Sequence, residues 1–104
     1  MHVVFHIDEM DKWKLLLANV NNFLREVDDA VIEVVAYAEA VKYYVGQEPL
    51  PENLLGRVDF VACANALRGW EIEEDSLPAH VAVVPSGVVE IARKQEEGYA
   101  YIRP

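Results

Sequence analysis

The most constraining feature of the sequence is a set of short apolar runs, rich in valine and isoleucine, separated by segments with helical spacing or turn residues. Near-continuous runs of this kind are typical of parallel strands that are buried on both faces. Parallel neighbours need crossover connections, which pack helices against the sheet. The predicted strands are residues 3–7, 31–37, 58–63, 81–84 and 99–102. The sequence therefore predicts an α/β fold, a three-layer sandwich with a five-stranded parallel sheet and right-handed crossovers.

The clearest predicted helix follows the first strand. Its apolar residues recur with helical spacing and form one stripe: Trp13, Leu16, Leu17, Val20, Phe23, Leu24 and Val27. Asp8 precedes the stripe and is predicted to cap the helix, and Asp11 adds favourable charge to the first turn.

The remaining connections are shorter. A helix that contains Val41, Tyr44 and Val45 is predicted to end at Gly46, and residues 53–56 leave room for one helical turn. This thin crossover is expected to leave one sheet face uncovered, or covered by a neighbouring subunit. Short helices are also predicted over residues 65–69 and 88–92, the second ending before Gly98, with an acidic connector over residues 72–78.

Length and charge narrow the classes of protein. A chain of 104 residues is expected to form a single domain, residues 1–104. Its 18 acidic and 9 basic residues give a formal charge of −9, which disfavours nucleic acid and anionic membrane surfaces as partners. No apolar run approaches the roughly 20 residues of a membrane helix, and residues 1–5 do not resemble a secretion signal, so a cytoplasmic location is expected. The hydrophobic fraction of 53% is slightly above the typical range, which favours a homo-oligomer.

Several cofactor motifs are absent. The chain has neither a glycine-rich dinucleotide fingerprint nor a phosphate-binding P-loop, so no cofactor is predicted. A phosphoacceptor receiver domain needs an aspartate at the end of the third strand, where this chain has Cys63. His2 and His6 lie about 13 Å apart on one strand face, too far to share an ion, so no metal is predicted. Ser86 lacks a histidine partner at another strand end and is expected to cap a helix instead.

The candidate site lies at the carboxyl ends of the strands, where ligands bind in sheets of this type. The residues predicted there are Cys63 as the catalytic group and, for substrate binding, Asp8, Glu39, Asn65, Arg68, Ser86 and Gly87. The acidic and amide residues in this set have an alternative role as local helix caps or first-turn charges.

Cys63 is the only cysteine, which excludes an intrachain disulfide, and it ends the third apolar run directly before a predicted helix. Exposed amides at such a turn, together with Arg68, favour thiolate over thiol. A thiolate that accepts sulfur as a persulfide and passes it on needs one cysteine, access for a donor and no cofactor. The alternative is that Cys63 is a small buried hydrophobic residue and Arg68 an ordinary surface residue.

The segment FVACANALRG at residues 60–69 resembles the cysteine segment of the DsrE/DsrF-like family. Further similarity extends over VVFHID at 3–8, IEVVA at 32–36, VVPSGVVE at 83–90 and EGYAYIRP at 97–104. The chain as a whole resembles the short single-domain branch of this family. The resemblance implies the YchN-like fold, a parallel five-stranded sheet between helix layers, assembled as a homotrimer or homohexamer.

The resemblance also implies a function. Better-known members carry persulfide sulfur on the cysteine equivalent to Cys63, in sulfur oxidation or tRNA thiolation, and donor and acceptor proteins are then the expected partners. Those members often have two adjacent arginines where this chain has Arg68 followed by Gly69, so weaker anion stabilisation is expected here.

The leading hypothesis is a cytoplasmic sulfur carrier in which Asn65 and Arg68 orient the persulfide. One rival is a non-catalytic oligomeric module that binds a small ligand or protein partner in the strand-end cleft. Another is a subunit that requires a different homologue.

Overall fold

The computed structural model describes residues 1–104 and contains one five-stranded sheet. The strands are β1 (His2–Ile7), β2 (Val31–Ala36), β3 (Val58–Cys63), β4 (Val81–Val84) and β5 (Ala100–Ile102). All neighbouring strands are parallel, and their order across the sheet is β4-β3-β2-β1-β5. The predicted fold class is confirmed.

Three α-helices connect the strands: α1 (Trp13–Glu26), α2 (Ala64–Gly69) and α3 (Gly87–Glu96). Short 3-10 segments cover Met10–Lys12, Ala38–Val45, Glu52–Leu54 and Glu74–Ser76. The helix predicted to end at Gly46 does end there, but it is a 3-10 helix. None of the helices is long and apolar enough to cross a membrane.

The larger core lies on the face of the sheet that α1 covers, here called the α1 face. Strand residues such as Phe5, Val34 and Phe60 pack there with Leu16 of α1 and Leu67 of α2. Each of these side chains is almost completely buried, as expected for alternate positions of a strand that faces a helix layer.

The thin crossover between β2 and β3 also lies on the α1 face, and the expectation that it would leave that face uncovered is wrong. Tyr44, Leu50 and Leu54 are buried in the larger core. The Tyr44 hydroxyl donates a hydrogen bond of 3.0 Å to the Val61 carbonyl oxygen. Large side chains of an irregular segment therefore cover the sheet where a longer helix is missing.

The opposite face, here called the α3 face, is covered by α3. Val4, Val35 and Val61 form a small cluster there with Ile91 of α3. This helix contacts β1, β2 and β5, and Ala82 on β4 is exposed. The β3–β4 side of the α3 face is therefore only partly covered.

The helices that follow β3 and β4 lie on opposite faces of the sheet. Helix α2 follows β3 onto the α1 face, whereas α3 follows β4 onto the α3 face. The segments that leave these two neighbouring strands thus diverge at their carboxyl ends. In open α/β sheets this divergence forms the crevice in which ligands bind.

Candidate functional site

Cys63 is the last residue of β3 and lies beside this divergence. Because strand side chains alternate, Cys63 shares the α3 face with Val61 and does not point toward α2. The residue is buried, with 5% of its surface exposed. The start of α3 packs directly on it: a Cβ atom at Gly87 would lie 3.3 Å from the Cys63 Cβ and 3.0 Å from the Tyr37 Cβ. A side chain at position 87 would therefore fit only if Tyr37 and Cys63 shifted by a few tenths of an ångström.

Strand register places a row of polar and aromatic side chains on the α3 face, at the carboxyl edge of the sheet. Across the sheet from β3 to β5 the row consists of Cys63, Tyr37, His6, Asp8, Tyr101 and Arg103. Sequence reasoning predicted two of these residues, Cys63 and Asp8, as site residues. The other four lack a motif, and only the period of two along each strand, combined with the strand order, brings them together.

His6 is the buried centre of this row, with 7% of its surface exposed. Its Nδ1 is hydrogen-bonded to the Tyr101 hydroxyl, and its ring centroid lies 4.9 Å from that of Tyr37. Its Nε2 is buried without a hydrogen-bond partner and lies 3.7 Å from Asp8 Oδ2. Burial lowers the pKa of His6, partly opposed by Asp8, while Arg103 adds to the decrease. The imidazole is therefore neutral at neutral pH.

Asp8 lies on the α3 face, and the prediction that it caps α1 is wrong. Arg103 Nη2 lies 3.5 Å from both Asp8 carboxylate oxygens and 3.9 Å from Glu9 Oε2. The cap position of α1 is Lys12, which makes no side-chain capping bond. Since α1 packs on the other face, the alternation along β1 directs the Asp8 side chain away from it.

Tyr37 follows β2 and continues its ladder, since its N–H donates a 3.1 Å hydrogen bond to the Ile7 carbonyl oxygen. Burial raises the pKa of the Tyr37 hydroxyl, and the negative charge of Asp8 adds to the increase. The phenol is therefore neutral at neutral pH. Ala38 follows with a φ of 52°, in the left-handed region, so the chain leaves the sheet abruptly after Tyr37.

Asn65, Arg68 and Ser86 line an open cleft of about 510 Å³ between α2 and the end of β4. The Arg68 guanidinium donates a hydrogen bond to Asn65 Oδ1 and makes none to Cys63. The guanidinium is therefore engaged by its own helix, and a role of Arg68 at the thiolate stays a prediction. Ser86 occupies the predicted cap position of α3, but its side chain makes no capping hydrogen bond.

Asn65 is the second residue of α2 and not its cap, since Cys63 holds that position. Glu39 lies apart from both the cleft and the row, because its Oε1 accepts a 3.2 Å hydrogen bond from the Met10 N–H. The structure thus brings Cys63, Gly87 and Asp8 to the α3 face, whereas Asn65, Arg68 and Ser86 line the open cleft and Glu39 lies apart from both.

Glu33 is a second buried ionisable group on the α3 face, at the centre of β2, that sequence reasoning did not single out. Lys94 Nζ of α3 lies 3.5 Å from Glu33 Oε2, whereas Oε1 is buried without a hydrogen-bond partner. Burial raises the pKa of Glu33 to about 8, the nearby Glu90 carboxyl adds to the increase, and Lys94 opposes it. Glu33 is therefore largely protonated at neutral pH.

A pH dependence of stability follows from Glu33. Because its pKa is raised on folding, its contribution to stability is complete below its ordinary pKa of 4.5 and is lost as the pH rises through about 8. The rise from 4.5 to about 8 corresponds to about 5 kcal/mol, and screening by solvent reduces the loss to a few kcal/mol. The Glu33→Gln variant cannot titrate there, and Lys94 keeps Glu97 as a partner at 3.7 Å. The free energy of unfolding, measured with urea at pH 5 to 9, is expected to fall with rising pH in the native protein and to fall much less in the variant. An equal fall in both proteins would contradict this.

Comparison with solved structures supports the fold. The chain is 42% identical to the protein of unknown function MTH1491 from Methanobacterium thermoautotrophicum, with a TM-score of 0.86, over 99% of this chain and 98% of that one. It is 14% identical to the ychN protein from E. coli, with a TM-score of 0.72, over 99% and 97% of the two chains. At that identity the second likeness concerns the fold alone. A comparison with curated proteins gave no match.

The sequence model of the DsrE/DsrF-like family matches residues 8–104. The match includes β2 to β5 and all three helices, and with them Cys63, Tyr37 and Gly87. The resemblance noted from the sequence segments is thereby confirmed. The chain belongs to the DsrE/DsrF-like family.

Proposed function

We propose that the protein is a sulfur carrier in which Cys63 receives a sulfane sulfur as a persulfide and passes it to an acceptor thiol. The observation that carries this proposal is the position of the only thiol, at the carboxyl end of β3, beside the divergence of α2 and α3 and under the first residue of α3. Membership in the DsrE/DsrF-like family, which suggests sulfur relay, supports it.

The proposed transfer is two successive exchanges at sulfur. The Cys63 thiolate attacks the outer sulfur of a donor persulfide or polysulfide, the new bond to Sγ forms, and the donor leaves as a thiolate or a shorter polysulfide. An acceptor thiolate then attacks the outer sulfur of the Cys63 persulfide, and Sγ leaves as a thiolate. Each step exchanges one S–S bond for another, so no external oxidant or reductant is needed.

The first backbone amides of α3 would stabilise the negative charge of a persulfide on Cys63. The first amides of a helix have no partner within the helix, and the helix dipole places partial positive charge there. The Ser86 side chain leaves these amides uncapped, and Gly87 brings the backbone against Cys63. In this proposal α3 takes the anion-stabilising role that the sequence had suggested for α2 and Arg68.

The test of the proposed function is persulfide loading. The reduced protein is incubated with inorganic polysulfide beside an established persulfide carrier, and intact mass is recorded before and after treatment with a reductant. We expect a gain of one sulfur, removed by the reductant and located on the peptide that contains Cys63. Absence of this gain, under conditions that load the established carrier, would refute the proposal.

The proposed location is the cytoplasm, where thiols stay reduced. The proposed assembly is a homotrimer or homohexamer. Val88 and Val89 on α3 are 56% and 45% exposed, and Tyr101 on the edge strand β5 is 40% exposed. Apolar side chains so exposed are stabilised by burial against another subunit. We expect a native mass three or six times the 11.8 kDa of one chain. A monomer would contradict the homo-oligomer and favour a requirement for a different homologue.

A second candidate function is a non-catalytic module that binds a small ligand or a protein partner. The observation that favours it is the separation of the nearly buried thiol from the open cleft lined by Asn65, Arg68 and Ser86. In cells that depend on the protein, the two functions predict opposite effects of two substitutions. A carrier loses function with Cys63→Ser and keeps it with Arg68→Ala, whereas a cleft-binding module shows the reverse.

A further inference from the structure

Two groups pack beside Cys63 on the α3 face, Tyr37 on the neighbouring strand and the backbone of Gly87. Tyr37 follows Ala36 on β2, and Ala36 pairs with Ala62, so Tyr37 stands beside Cys63 on the neighbouring strand. The backbone of Gly87 packs against both residues, since a Cβ atom at Gly87 would lie within 3.3 Å of the Cβ atoms of Tyr37 and Cys63. The result is a nearly buried thiol, 5% exposed, at an edge where ligands normally have free access.

His6 supports the Tyr37 ring from the side away from Cys63. The two rings lie 4.9 Å apart with an interplanar angle of 35°, and the Tyr101 hydroxyl holds the imidazole through Nδ1. An aliphatic residue at position 6 would avoid the cost of a buried Nε2 without a hydrogen-bond partner. The packing of the His6 ring on Tyr37 is the contact that an aliphatic residue would lose.

We propose that Tyr37 is the specificity-determining residue that covers Cys63, that His6 is the positioning residue that holds Tyr37 in place, and that the site takes sulfur from small sulfane donors of the inorganic polysulfide class. This inference rests on the proposed function, since it names the donor for the same thiol. A polysulfide is an unbranched chain one atom wide that enters beside the ring. A persulfide on the surface of another protein carries its own backbone, which collides with Tyr37 and the start of α3.

The experiment compares small and bulky reagents on the full-length protein. Rates of Cys63 modification are measured with methyl methanethiosulfonate and with a polyethylene glycol maleimide, each divided by its rate on glutathione. In the native protein we expect the bulky reagent to be slower by about tenfold or more relative to the small one. Tyr37→Ala is expected to remove most of this difference, and Tyr37→Phe to keep it, because the ring and not the hydroxyl covers the thiol.

Variants of His6 separate positioning from general stability. His6→Ala removes the support of the Tyr37 ring, so an intermediate selectivity is expected. His6→Phe keeps a ring against Tyr37 but loses the bond to Tyr101, and is expected to restore the native selectivity. If His6 contributed only stability, selectivity would not differ between His6→Ala and His6→Phe in this way. Urea unfolding of each variant shows whether it is folded. Equal selectivity in the native protein and Tyr37→Ala would overturn the role of Tyr37, and native selectivity in His6→Ala would overturn that of His6.

Loading by two donors then tests the substrate class. The native protein is expected to gain sulfur from inorganic polysulfide and not from a persulfide on a purified protein, whereas Tyr37→Ala accepts both. Equal loading of the native protein by both donors would overturn the inference. If no donor loads the native protein, the proposed function fails, and the alkylation ratios still decide separately whether Tyr37 covers the thiol.

Discussion

Replacing Cys63 with serine is expected to reduce persulfide loading to the background of a protein without cysteine. Serine has nearly the same shape, but its hydroxyl is not ionised near neutral pH and forms no persulfide. Because the chain has no other cysteine, no second thiol substitutes for Cys63. The buried site accepts a small side chain, so we expect a change in stability of at most about 1.5 kcal/mol. Intact mass after incubation with polysulfide measures the loading, and urea unfolding measures the stability.

Arg68→Ala is the matched control for this variant. Arg68 is exposed and bonded to Asn65, with no hydrogen bond to Cys63, so its removal is expected to leave loading within about twofold of native. Sulfur uptake by Cys63→Ser would show that the gain in mass is not located at Cys63. A loss of loading in Arg68→Ala would restore the role that the sequence alone suggested for this guanidinium.

Replacing Trp13 with alanine is expected to cost about 3–5 kcal/mol of folding free energy, the largest effect of any single change proposed for this chain. Trp13 is 1% exposed, at the start of α1, and its ring stacks on Tyr43 at 4.5 Å. Its Nε1 donates a 2.9 Å hydrogen bond to the Ala40 carbonyl oxygen, which the substitution leaves without this donor. Trp13 therefore joins α1 to the irregular crossover that covers the β2–β3 side of the α1 face.

The urea midpoint measures this cost, and Trp13→Phe is the matched control. Phenylalanine keeps most of the apolar contact and loses the hydrogen bond, so a smaller loss of about 1–2 kcal/mol is expected. A loss below about 1 kcal/mol in Trp13→Ala would show that the 3-10 segment Ala38–Val45 is not held by this residue.

The sequence was sufficient to predict the strands, because each is a buried apolar run whose composition differs clearly from its surroundings. The third and fourth strands were predicted at the residues where they occur, Val58–Cys63 and Val81–Val84. The order of strands across the sheet was not predicted, since the periodicity of single elements does not specify which of them are neighbours.

The candidate site shows the same limit. Cys63 was correctly placed at the carboxyl end of β3, but the face of the sheet on which its side chain lies depends on where α3 packs. Arg68 was therefore assigned to the thiol from nearness in sequence. Tyr101 and Arg103 join the site from a strand near the end of the chain, through the pairing of β5 with β1, which no local pattern reveals.

The most direct test of the sulfur-carrier proposal follows labelled sulfur through one complete transfer. The protein is loaded with ³⁴S-labelled polysulfide, freed of excess donor and mixed with a low-molecular-weight thiol as acceptor. The account predicts that the label appears as the persulfide of the acceptor while Cys63 returns to a free thiol of unchanged mass. Label that stays on the protein, or that leaves only as Cys63 becomes oxidised or disulfide-bonded, would contradict it.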